Sequence, residues 1–166
     1  MKRMETKQFV IGENTFYIVP FAAFAAASIG GELTALLAPI VASVIPAVSD
    51  TQTGENDSVD GGKDFLSTDI NEILPALVSA TAGLSGDKLE RIMTRLLIES
   101  GNVSVQGEIT GGTVTKLTKD LADEIFCMDL QDMFALCYEV VKLNYGGMLG
   151  KFADKVRDRA AAKEEA

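Results

Sequence analysis

The stretch VPFAAFAAASIGGELTALLAPIVASVIPAVS, from Val19 to Ser49, carries one charged residue, Glu32. An apolar run of that length has three destinations: a lipid bilayer, the interior of its own fold, or the surface of another protein. A bilayer-spanning helix needs about 20 consecutive apolar residues. Gly30-Gly31-Glu32 divides the run into two shorter halves, and the glycine pair is expected to break or bend a helix. Glu32 at mid-bilayer would cost about 2.5 kcal/mol or more. Pro39 and Pro46 each remove a backbone donor, and Pro39 is expected to kink or restart the helix. A helix apolar all round is normally buried in a bundle, so the chain's own core is the simplest destination. Alanine-rich, proline-interrupted helices also leave shallow, adaptable surfaces. Met93, Met128, Met133 and Met148 can repack against varied partners, so a protein client stays open.

Charge and residue types exclude more than they assign. The chain has 166 residues, a length that suits one domain, and a net charge of -9. Nucleic-acid affinity comes mainly from neutralising phosphates, so this balance argues against such a role. No histidine is present, which removes the usual general base, metal ligand and pH switch. Cys127 and Cys137 are ten apart in what reads as continuous helix, about 15 Å along its axis, too far to bridge. They are expected to be buried, reduced thiols. Asp129-x-x-Asp132 reads as helix caps, with a divalent-cation site as the rival. No phosphate-binding glycine loop occurs, and nothing points to an active site, a cofactor or a metal.

Local patterns give a mainly α fold, a helical bundle with a small N-terminal β-hairpin. Gln8–Ile11 and Thr15–Val19 alternate as strands about a Gly12-Glu13-Asn14 turn, and Pro20 suits the first turn of a helix. Residues 21–49 form the apolar helices, and 50–66 an acidic, glycine-rich loop expected to be disordered. The helical body covers 67–150. In it, Asp87 opens a helix closed by Gly101, Thr118 caps another, and Gly146-Gly147 breaks the last. Within 102–117, a strand at Asn102–Gln106 is followed by a segment that reads as loop or as the return of a second short hairpin. Residues 151–166 make a charged, fraying tail.

Two regions carry a family resemblance. FVIGENTFYIVPFAAFAAASIGGELTALLAPIVASV includes Phe21, Phe24, Ile29, Gly31, Glu32 and Leu33. LTKDLADEIFCMDLQDMFALCYEVVKLNYGGMLGKF includes Asp123, Glu124, Phe126, Cys127, Asp129, Asn144, Tyr145 and Lys151. Together they resemble the tail assembly chaperones of tailed phages and prophages of Gram-positive bacteria. Met148-Leu149 departs from the pattern, where aromatics are expected. The resemblance implies a non-enzymatic protein that holds the apolar tape-measure protein in solution while tail-tube subunits polymerise around it. It implies action in the host cytoplasm, absence from the mature virion, and in some members a longer frameshifted form. Partner contacts are then expected at Phe21, Phe24, Leu33, Leu36 and Leu37, and at Tyr145, Met148, Leu149 and Phe152. Two rivals remain: a holin-like membrane-active phage protein, and a structural tail or connector subunit.

Overall fold

The computed structural model describes residues 5–35 and 82–164. Expectations for 36–81 lie outside the described residues: the helix continued past Ala35, its prolines, the 50–66 loop and the helix from Ile70.

Strands β1 (Lys7–Ile11) and β2 (Asn14–Ile18) form the expected hairpin. Its turn is only Gly12-Glu13, because Asn14 pairs with Ile11 as the first rung of the ladder. The later segment does return as a hairpin, β3 (Val103–Gln106) with β4 (Thr115–Lys116). The two hairpins then join. β3 lies antiparallel to β2, with Ile18 opposite Val103 and Phe16 opposite Val105, giving one sheet in the order β1-β2-β3-β4. Period-two alternation puts Phe16, Ile18, Val103 and Val105 on one face, where all four are fully buried. The other face is polar: Tyr17 donates to Gln106 Oε1 at 2.7 Å, and Gln106 Nε2 donates to the Gly112 carbonyl at 2.8 Å.

Helices cover the apolar face. Helix α1 spans 23–35. Helix α2 (Gly86–Thr94) runs into a π turn, Arg95–Glu99. The extra residue in a π turn shifts the helical phase, and the neighbours Leu96 and Leu97 both reach the core. Helix α3 (Lys119–Phe126) starts as expected on Thr118, whose hydroxyl accepts from Leu121 N at 3.3 Å. Helix α4 (Leu130–Glu164) supplies Leu136, Cys137, Val140 and Tyr145 to the same core. Mainly α therefore holds, but the described helices gather on a sheet rather than around one another alone.

Four local expectations are corrected. Helix α1 begins at 23, so Pro20 and Phe21 form a linker before it. Gly30-Gly31 does not interrupt α1, and the reason is contact: a Cβ on Gly30 would stand 3.0 Å from Tyr145 Cε1. This glycine lets α4 approach closely. Gly146-Gly147 does not end α4 either. A glycine costs a helix about 1 kcal/mol relative to alanine, too little to stop one anchored by the buried run Ala135–Val140. Finally, Cys127 and Cys137 are not on one helix. Helix α3 ends at Phe126, and Asp129 restarts the chain as the cap of α4, its carbonyl accepting from Asp132 N at 3.0 Å.

One buried group is left over. Asn102 is buried, yet among the described residues neither its Nδ2 nor its Oδ1 has a hydrogen-bond partner. Desolvating such a group costs about 1–3 kcal/mol. Leucine has nearly the same shape, so Asn102→Leu is expected to raise unfolding free energy by about 1–2 kcal/mol in urea titration. A loss of stability would show that the amide is satisfied in solution.

Candidate functional site

The residues singled out as contacts divide sharply. Phe21, Leu33 and Tyr145 are buried and belong to the core. They lock α1 to α4. Phe21 N donates to Asn144 Oδ1 at 2.7 Å, and Asn144 Nδ2 donates in turn to the Val140 carbonyl at 2.8 Å. The Phe21 and Tyr145 rings stand 6.3 Å apart, and the Tyr145 hydroxyl donates to the Ala26 carbonyl at 2.8 Å. Burial raises the Tyr145 pKa above its ordinary value, with Arg95 opposing, so the phenol stays a donor at neutral pH. Ile29 and Phe126 are also core, the latter stacked on Phe16 with centroids 5.7 Å apart.

Phe24 is different: it is 93% exposed. It lies on the outer side of α1 with Ala23, Ala27, Ser28, Gly31, Thr34 and Ala35, all exposed and none charged. Ala23, Ala27, Gly31 and Ala35 recur every fourth residue, so they form one ridge of small side chains along the helix. A Cβ on Gly31 would meet nothing within 4 Å. The helix is held from its flank: Glu32 pairs with Arg95 and, at 3.5 Å, with Arg91, while Arg95 Nη2 donates to Ser28 Oγ at 2.9 Å. Helix α1 thus presents a rigid apolar ridge whose charges are tied off along one side. Met148 is half exposed on α4, one turn beyond Tyr145. Leu149 and Phe152 lie further along α4, and Leu36 and Leu37 fall outside the described residues.

The Asp129 cap marks the joint between α3 and α4 in the sequence, but sequence reasoning missed how exposed the residues there are. Met128 is 91% exposed there and Leu130 is exposed beside it. Cys127 is exposed rather than buried, because it follows the last turn of α3 instead of lying within a helix. Cys137 is buried, and burial pushes its pKa up to about 12. The two thiols are therefore expected to separate chemically. At neutral pH, Cys127 reacts with a thiol reagent in the folded chain, while Cys137 reacts only after denaturant is added. Equal rates for both would contradict the packing of α4. The buried thiol's contribution to stability is whole below its ordinary pKa of 9.0 and is lost as the pH rises towards 12.

A cleft of about 410 Å³ lies between the β1–β2 turn, the 3₁₀ turn Glu108–Thr110 and the end of α3, lined by Glu13, Asn14, Glu108, Ile109, Glu124 and Ile125. Among the described residues, no group of three or more His, Cys, Asp or Glu could hold a metal ion. Among them, too, no helix is long and apolar enough to cross a membrane.

The chain matches the family described as phage tail assembly chaperone protein, TAC, over residues 12–155. No curated protein and no solved structure matches it. The match runs from the turn of the first hairpin into α4 and takes in every described element after β1, so the chain belongs to the phage tail assembly chaperone family.

Proposed function

We propose that this chain assists tail assembly, without catalysis, by holding apolar helical segments of the tape-measure protein. It keeps them soluble in the host cytoplasm while tail-tube subunits polymerise around them, and leaves before the virion is complete. The observation that carries this reading is the uncharged outer ridge of α1 with Phe24 at 93% exposure. Small residues at every fourth position let a second helix approach closely, and an exposed aromatic beside them supplies an anchor. Burying one phenylalanine contributes about 1.5–3 kcal/mol. The net charge of -9 would keep a loaded complex dispersed.

Co-expression with the tape-measure protein tests the reading, with the soluble fraction of the client as the measurement. The chain is expected to hold the client in the supernatant, and Phe24→Asp is expected to release it to the pellet. A client that stays insoluble beside the unaltered chain would refute the holding role. A client that Phe24→Asp still rescues would move the contact away from α1.

A further inference from the structure

The sheet ends on one side in β1, and no described residue pairs with its outer side. The two-residue loop makes Ile11 and Asn14 a hydrogen-bonded pair, and by alternation Phe9–Phe16 and Lys7–Ile18 as well. The N–H and C=O groups of Gln8 and Val10 therefore point away from β2, along an edge that no described residue pairs. Natural edge strands are blunted by proline, by a bulge, by an exposed charge, or by being very short. The opposite edge, β4, is only two residues long and carries an exposed lysine. β1 has neither a proline nor a bulge. Its five residues run in unbroken register, its one charge, Lys7, is turned onto Glu139 of α4, and Val10 is 64% exposed.

We propose that β1 is the pairing edge for a second copy of this chain, joined antiparallel about a two-fold axis so that the two sheets continue as one. An antiparallel edge is complementary to itself, because the same outward N–H and C=O groups meet across the axis. Charge limits where two copies can meet and which registers they can take. Two copies with 24 acidic against 15 basic residues repel over most of their surface. From Thr6 to Gly12 there is no carboxylate, and Lys7 is already neutralised, so this edge is where two copies can approach. An axis at Phe9 would set Glu5 against Glu13 of the other copy. An axis at Gln8 sets Glu5 against Ile11 and Lys7 against Phe9, with no like charges opposed. Gln8 then exchanges both backbone bonds with its symmetry mate, and Val10 pairs with Thr6. The surface is separate from the α1 ridge, so it stands whether or not that ridge holds a client.

Sedimentation of the full chain tests this, with Val10→Pro and Val10→Lys as variants. The unaltered chain is expected to sediment at twice its 17.7 kDa mass. Val10→Pro removes an outward N–H without touching a β1–β2 bond, and is expected to weaken association about tenfold or more with an unchanged circular dichroism spectrum. Should the proline variant unfold, Val10→Lys decides, since it places charge on the edge and leaves the backbone intact. In the unaltered chain, the Gln8 and Val10 amides are expected to exchange slowly with solvent deuterium at high protein concentration and fast on dilution. A chain that sediments singly at all concentrations, a dimer that Val10→Lys leaves intact, or fast exchange at both amides regardless of concentration would overturn the proposal.

Discussion

Phe16→Ala is expected to lower the unfolding free energy by about 3–5 kcal/mol, the range for emptying a buried aromatic site. Phe16 is fully buried on β2, an inner strand, with Val105 opposite it and the Phe126 ring stacked on it at 5.7 Å. Its removal takes contacts from both hairpins and from α3 at once, and the sheet beneath cannot collapse to fill the gap. A domain of this size has about 5–15 kcal/mol in hand, so the variant should lie near the edge of folding at physiological temperature. Urea titration followed by circular dichroism measures the effect. Phe9→Ala, at the half-buried margin of the same face, is expected to cost clearly less. A loss at Phe16 below about 1 kcal/mol would mean that the N-terminal hairpin does not close the core.

The second large effect sets two adjacent glycines against each other. Gly30→Leu drives a side chain into the Tyr145 ring, which a Cβ alone already meets at 3.0 Å. Overpacking of that kind costs about 1–3 kcal/mol. It is expected to loosen α1 from α4, so that folding and client protection fall together. Gly31→Leu meets nothing within 4 Å. It replaces glycine by a better helix former, so stability should rise by a few tenths up to about 1 kcal/mol. Yet it plants a bulky side chain on the ridge between Ala27 and Ala35, where a second helix must come close. The expected result is a more stable chain that no longer keeps the tape-measure protein soluble. Two readouts, thermal melting of the purified chain and the soluble fraction of co-expressed client, separate the cases. If Gly31→Leu protects the client fully, the ridge is not the contact.

Those glycines also show where sequence reasoning runs out. A Gly-Gly pair in a helical pattern signals a break, because glycine is a poor helix former. The signal is silent about a ring from a helix far along the chain, and only that contact explains why glycine occupies position 30. Phe21 and Phe24 teach the same lesson. Their spacing of three suggests one helix face, but the helix starts at 23, so helical phase never governs Phe21. One ring is turned into the core and the other into solvent. What local chemistry decides was legible: the first hairpin, the Thr118 cap, the amphipathic helices of the body and the Asp129 cap. What distant pairing decides was not. Nothing near Ile18 announces Val103 as its neighbour.

The β2–β3 pairing has a consequence for how the chain comes into being. An isolated two-stranded hairpin is marginal in water, so β1 and β2 emerge from the ribosome first and must wait. The free side of β2 finds its partner strand only after Val103 and Val105 have been synthesised and brought back across the intervening chain. Long-range strand pairing of this kind is slow, because the entropy of loop closure is spent before any contact rewards it. The same geometry makes the fold forgiving: doubling the length of the bracketed segment adds only about 0.6 kcal/mol to that entropy. Insertions between the two hairpins should therefore slow the chain's maturation more than they weaken the finished protein.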